Sequence, residues 1–277
     1  MSDQPILCFG GPYSNRHALE ALMAEAARRG IPPARMICTG DVVAYCAEAA
    51  ATLDAMIASG IPTVMGNCEE NLAADADDCG CGFDAGSTCD LLSRGWYAHA
   101  RAQISPRHRA WMTALPRRID VTLGGRRLAV VHGGATEINR FLFPSAPDDV
   151  LAAEIAATGA EGVIAGHSGL PFTRQVGRAI WHNAGAIGMP ADDGTPRTWF
   201  SVLAPEAGVP EAGGLRISHH ALAYDHGGAA WAMREAGLAA GYAAALESGT
   251  WPSQDILPAE ERRRRGRRRD PPALLWR

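Results

Sequence analysis

Residues 5–15 read PILCFGGPYSN, residues 34–41 read ARMICTGD and residues 61–67 read IPTVMGN: three short apolar runs, each broken by glycine and followed by polar or turn residues. Between them lie two stretches with apolar residues at helical spacing, Asn15 to Arg29 stopped by Gly30, and Ala47 to Ala58 ended by Gly60. Strands alternating with amphipathic helices predict a parallel α/β sheet whose loops at the carboxyl edge carry the chemistry.

Working outward, 75–90 (DADDCGCGFDAGSTCD) is acidic and rich in glycine and cysteine, and helical sequence resumes at Leu91 to Ala102 and Arg107 to Leu115. We read 75–115 as a lid-like insertion. Arg118 to Leu123 and Arg126 to Val131, joined by Gly124-Gly125, form the clearest hairpin, because a two-glycine link tolerates positive φ. After a helix at Asp148 to Ala157 and a strand at Gly162 to Ala165, strand-like runs at 173–176, 180–182, 197–203 and 215–220 make the second half richer in antiparallel sheet. Helical sequence at Ala229 to Leu246 is interrupted at Gly237 and Gly241. One domain is expected over 1–257, with 258–277 a mobile arginine-rich tail.

Composition narrows the chemistry. The 277 residues are 47% hydrophobic and 20% charged, a globular balance, and no apolar run approaches the roughly 20 residues that span a bilayer. A soluble, cytoplasmic protein without a membrane partner is the expectation. All 26 basic residues are arginine, which excludes Schiff-base and phosphate-loop lysines. Removing the seven arginines of 262–265 and 267–269 from the net −4 leaves −11, so an acidic body carries a basic tail. No reading motif accompanies that tail, and a nucleic-acid partner is not expected.

Four motifs end strands at one predicted edge: Gly40-Asp41, Gly66-Asn67, Val131-His132-Gly133 and Gly166-His167. A carboxylate, an amide oxygen and two imidazoles suit Mn²⁺, Fe²⁺ or Zn²⁺. In order and spacing these motifs resemble the calcineurin-like metallophosphoesterases, in particular their small bacterial branch, over about Pro5 to His220. The resemblance implies a four-layer αββα sandwich of two mixed sheets flanked by helices, and a metal-dependent phosphoesterase acting on a small phosphorylated substrate.

The departures from the family pattern fall on one side. Where the family has Asp-x-His-Gly-Asn this chain has Gly11-Pro12-Tyr13-Ser14-Asn15, and Gly169 replaces the final histidine of Gly-His-x-His. By that resemblance one ion loses its private ligands, whereas the other keeps Asp41, Asn67, His132 and His167. A mononuclear centre is the resulting expectation. The residue after Asn67, a histidine in the family, is Cys68, so Cys68 and Glu69 are the catalytic candidates. A thiolate at Cys68 could be nucleophile or ligand.

Tyr13, Asn15, Arg140 and Arg174 are the candidates for touching substrate, the two arginines because a planar fork matches phosphate. For Tyr13, packing into the vacated metal volume is the competing reading. His182, next to a turn at Asn183-Ala184-Gly185-Ala186 that resembles the family's Asn-x-Gly-Ser, is a candidate for orienting a ligand. Cys79, Cys81 and Cys89 are candidates for a second, thiolate-bound soft metal or a redox site, although their spacing matches no standard zinc pair. The alternative function is a non-hydrolytic metal- or ligand-binding protein on the same scaffold. Substrate, ion and oligomeric state are not specified by the sequence.

Overall fold

The computed structural model describes residues 4–206 and 214–277. In chain order the strands are β1 (Ile6–Phe9), β2 (Met36–Cys38), β3 (Ile119–Leu123), β4 (Arg126–Val130), β5 (Gly162–Ala165), β6 (Phe172–Val176), β7 (Ala179–Asn183), β8 (Thr198–Pro205), β9 (Leu215–Leu222) and β10 (Leu274–Trp276). The helices are α1 (Arg16–Arg28), α2 (Ala49–Ser59), α3 (Asn67–Ala73), α4 (Thr88–Gln103), α5 (Pro106–Thr113), α6 (Asp148–Thr158), α7 (His226–Glu235), α8 (Ala240–Ser248) and α9 (Ala259–Arg262). Two mixed five-stranded sheets form, ordered β10-β9-β8-β1-β2 and β3-β4-β5-β7-β6.

Strand alternation assembles the layers. Ile6 and Cys8 of β1 point into the core between the sheets, with Ile37, Leu128, Val130, Ile164 and Ile180. Leu7 and Phe9 point the other way, into a core shared with α1, α2 and the helices beyond them. A strand buried on both faces must be apolar throughout, which is why 5–9 has no alternation. On the far side of the second sheet, Leu151 and Ile155 of α6 pack on Val163 and Trp181. The expected four-layer αββα sandwich is the result.

β1 and β2 run parallel in one sheet, and β4, β5 and β7 run parallel in the other. Their carboxyl ends meet at one edge, where the sequence motifs lie. The third expected strand, 61–65, forms only an isolated bridge between Cys38 and Thr63 before the chain turns into α3. The Gly124-Gly125 hairpin is present, with φ of 54° and 80°.

Two boundaries differ from the sequence reading. The 75–115 insertion divides: Trp96, Tyr97, Ala100 and Met112 are buried in the α1–α2 core, so α4 and α5 are body, and the loop before them, with Cys89 in the first turn of α4, reaches the cleft. The tail expected to be mobile after 258 is docked instead. Trp276 is fully buried between the sheets, β10 pairs antiparallel with β9, and the Arg269 backbone N–H donates to Asp193 at 3.0 Å. Burying a large apolar side chain contributes about 1.5–3 kcal/mol, so the few apolar residues after the arginine run suffice to fix the segment.

Candidate metal centre

Asp41, His132 and His167 lie just after strands β2, β4 and β5, and Asn67 opens α3. Asp41 adopts φ 54° and Gly40, before it, φ 93°. A Cβ on Gly40 would lie 2.8 Å from His132 Nδ1 and from the Gly66 nitrogen, so only glycine permits these loops to close on one another. Glu69 locks them: its Oε2 accepts from the N–H of Asp41 (2.8 Å) and Gly66 (3.0 Å), and its Oε1 from Val43 (3.2 Å). His167, at φ 54°, is held by Asn183, whose Nδ2 donates to the Gly166 carbonyl (2.6 Å) and to Ser168 Oγ (2.9 Å).

The side chains converge in a dry place. His132 Nδ1 lies 2.6 Å from the Thr39 carbonyl oxygen, which can only accept, so Nδ1 carries a proton and Nε2 faces the centre. Asn67 donates from Nδ2 to the Cys79 carbonyl at 2.9 Å, which turns Oδ1 toward His132 Nε2 at 3.0 Å. His167 Nδ1 is 3.0 Å and Asp41 Oδ2 3.3 Å from the same nitrogen. Asp41, His132 and His167 place one ligand atom each within 4.8 Å of one another.

Electrostatics asks for a cation here. Burial opposes charge on His132, but the Asp41 carboxylate outweighs it and holds the imidazole above its ordinary pKa. Burial likewise opposes charge on Asp41, and His132 and His167 together keep it below the usual carboxylate range. Burial and His132 push His167 down to about 3, leaving it neutral, the form that ligates metals. One proton on His132 Nε2 cannot satisfy a carboxylate, an amide oxygen and a second imidazole at once. A divalent ion can, so the donor set fits the metal that the sequence motifs imply.

Beside this cluster the vacated half is full. The Tyr13 ring lies on Gly11, where a Cβ would meet its Cζ at 2.2 Å, and its hydroxyl lies 3.5 Å from where a Gly169 Cβ would stand. One aromatic ring therefore spans all three positions that the family pattern assigns to the missing ligands. Tyr13 and Ser14 both adopt left-handed backbone, φ 51° and 56°.

The cleft above is walled by rings. Phe141 stacks on His167, centroids 4.1 Å apart, and Phe83 stacks on Phe141. Tyr45 meets Tyr13 and Tyr242, each at 4.9 Å. Trp251 and Ile256 close the rim. Apart from Tyr13 and His167, sequence reasoning missed these residues. Tyr45 follows Asp41 by four positions and Phe141 follows His132 by nine, whereas Tyr242 and Trp251 carry no local signal.

The other candidates are placed as follows. Cys68 is buried in the α3 first turn; its backbone N–H donates to Asp41 Oδ1 at 3.2 Å, and burial, then the Asp41 and Glu69 carboxylates, push its thiol far up. Glu69, raised to about 7 by burial and then by Asp41, commits both oxygens to backbone amides and does not line the cleft. Asn15 caps α1, accepting from the Ala18 N–H, and its Nδ2 donates to the Gly188 carbonyl. Arg140 pairs with Glu154 at 2.5 Å, and Arg174 with Asp148 and the Pro144 and Ala146 carbonyls. Neither arginine lines the cleft, because each has a nearer acidic partner.

Cys79 and Cys81 are joined in a disulfide, and Cys89 stands free at the cleft wall, so the three do not present a thiolate cluster. His182 is buried against Thr173 and Ser201, and those bonds point it away from the ligands; Asn183 does the orienting instead.

The calcineurin-like phosphoesterase superfamily domain matches over residues 13–204. A solved metallophosphoesterase from Sphaerobacter thermophilus is similar, 20% identical over 89% of this chain and 99% of its own, with a TM-score of 0.69. A hypothetical protein from Pyrococcus horikoshii OT3 is 14% identical over the same shares, with a TM-score of 0.72. No curated protein matches in sequence. No helix among the described residues is long and apolar enough to cross a membrane. With the family domain spanning well over half the chain, and the two-sheet sandwich and a candidate metal-binding cluster in place, the chain belongs to the calcineurin-like phosphoesterase superfamily.

Proposed function

We propose that this chain is a phosphoesterase that works with one divalent transition ion, Mn²⁺, Fe²⁺ or Zn²⁺, held by Asp41, Asn67, His132 and His167, on a small phosphorylated substrate. The carrying observation is the asymmetry of the centre: four donors converge on one side, and the Tyr13 ring fills the other. When bound, such an ion polarises a phosphoryl oxygen and acidifies water. The chain's own residues set the stage. Glu69 fixes the backbone of Asp41 and Gly66, Asn183 fixes the His167 turn, and Phe141 stacks on His167. Tyr13 places a hydroxyl beside the cluster, at the wall a substrate passes. A cytoplasmic setting belongs to the same proposal.

One observation favours the non-hydrolytic alternative: among the described residues no free carboxylic acid lines the cleft to protonate a leaving group, since Glu69 is committed to amides and Asp41 to the cluster. Turnover of aryl phosphate mono- and diesters by the Mn²⁺-loaded protein decides between them. Hydrolysis that falls at least about 100-fold, more than 2.7 kcal/mol of barrier, in His132→Ala and His167→Ala supports the enzyme. Metal binding with no turnover on any ester supports the binding protein.

A further inference from the structure

The arginine run near the end of the chain is held in place on both sides of Gly266. At φ 65° that glycine turns the chain, and its N–H donates to the Asp192 carbonyl at 2.9 Å. Beyond the turn Arg269 is fixed at four points. Its backbone N–H donates to Asp193 (3.0 Å), its Nε to the Ala191 carbonyl (3.0 Å) and its Nη2 to the buried Glu261 (3.5 Å), and its own carbonyl accepts from Arg197. The fully buried Trp276 pins the residues that follow.

Docked in this way, the segment lines a surface groove of about 430 Å³. Arg264, Arg267, Arg268 and Arg269 contribute to it beside Pro144 and Phe172, and Asp270 is the one acid in its lining among the described residues. Arg264 reaches Glu260 at 2.9 Å and Arg269 reaches Glu261, whereas Arg267 and Arg268 are exposed and have no acidic partner among the described residues. From Ala259 to Asp270 seven arginines stand against three acids, a net charge of +4. None of the described residues lining this groove lines the cleft over the metal centre.

Charge and shape together define what fits. Like charges fixed side by side repel, a cost that a free tail lowers by spreading out, and a bound anion offsets it. The volume falls in the range of roughly 300–1,000 Å³ usual for small-molecule sites. A guanidinium meets a phosphoryl group with two parallel N–H···O bonds, a match that a simple point charge lacks. One phosphate can occupy only one or two such forks, while a short chain of phosphoryl groups can engage arginines on neighbouring residues together.

We infer that this groove is a binding site for a small oligophosphate, separate from the metal centre, with Arg267 and Arg268 as its free guanidinium ligands. Arg269 and Gly266 position the segment, and Arg264 flanks the ligand.

Calorimetric titration of the full chain and of His132→Ala, both without added metal, with tripolyphosphate, inorganic phosphate and a short single-stranded oligothymidylate tests this. One tripolyphosphate per chain is expected in both proteins, at least about tenfold tighter than inorganic phosphate, a difference of about 1.4 kcal/mol, and weaker as NaCl is raised. Replacing both Arg267 and Arg268 with Gln should weaken tripolyphosphate at least about tenfold. Replacing both Arg178 and Arg263 with Gln removes the same charge from exposed positions that do not line the groove, and should change the affinity less than about threefold. Because all four side chains are exposed, both double variants are expected to unfold at the midpoint of the unaltered protein.

Four results overturn the inference. Equal weakening in the two double variants would make the arginines a diffuse basic surface. Oligothymidylate binding more tightly than tripolyphosphate would make the ligand a nucleic-acid backbone. Tripolyphosphate binding lost in His132→Ala and kept in the Arg267→Gln, Arg268→Gln variant would put the ligand at the metal centre, and no binding by the unaltered protein would leave the groove without one.

Discussion

The two halves of the centre share one scaffold and differ in what fills them. On the half built from Asp41, Asn67, His132 and His167, polar atoms crowd within 3.0–4.0 Å, and burial drives their charges toward a bound cation. On the half built from Gly11, Tyr13 and Gly169, two ligand positions have lost their side chains and the third has become a ring that covers both. A vacated polar site would be a wet hole lined by orphaned groups; an aromatic ring closes it with dispersion contacts. The Tyr13 ring covers the half that the family pattern would line with further ligands, and the ligand half beside it is buried.

The largest expected effect comes from breaking the ligand half. Asp41→Ala or His132→Ala should abolish stoichiometric metal binding, a loss of at least about 100-fold in affinity measured by competition with a chelator. Breaking the aromatic half should spare the ion and cost stability instead. Tyr13→Ala empties a buried ring volume, and a loss of about 3–5 kcal/mol is expected in urea unfolding, with the metal count unchanged. If Tyr13→Ala lost the ion as readily as His132→Ala, the two halves would not be separable.

Smaller effects sharpen the contrast. Asn183→Ala removes the brace under the His167 turn without touching a ligand atom, and should weaken metal binding about 10–100-fold while the protein stays folded. A pH effect is expected away from both halves. Burial holds His182 well below its ordinary pKa and pushes His219 down to about 3. Their unfolded forms take up protons below about pH 6.5 while the folded forms do not, so stability is retained above that pH and declines as pH falls. The slope should approach 1.4 kcal/mol per pH unit for each imidazole, about one titrating proton. Replacing His219 with Asn should reduce it, read from unfolding midpoints between pH 4 and 7.

How much of this was legible in the sequence follows from how local each cause is. The doubly buried strand 6–9, the Gly124-Gly125 turn and the motif order of Asp41, Asn67, His132 and His167 are written in adjacent residues, and they carried the fold and the candidate cluster. What was not legible depends on distant partners. Glu69 looked like a free acid because its three backbone donors come from residues 41, 43 and 66, which only the folded loops bring together. Arg140 and Arg174 looked like phosphate ligands because Glu154 and Asp148 sit on a helix remote from the motifs. The tail looked mobile because its anchor is one tryptophan filling a gap between the sheets and a buried carboxylate, Asp193, 76 residues from Arg269. The aromatic walls are gathered from at least four separate segments, so no window of sequence contains them.

The central claim is that one half of the centre holds a single ion and the other holds none. Metal content of the anaerobically purified protein, measured per chain beside the His132→Ala variant, tests it most directly. One transition ion per chain, lost in the variant, is the expected result. Two ions per chain would show that Tyr13 or the cysteines had replaced the missing ligands, and none above background would contradict the metal centre altogether.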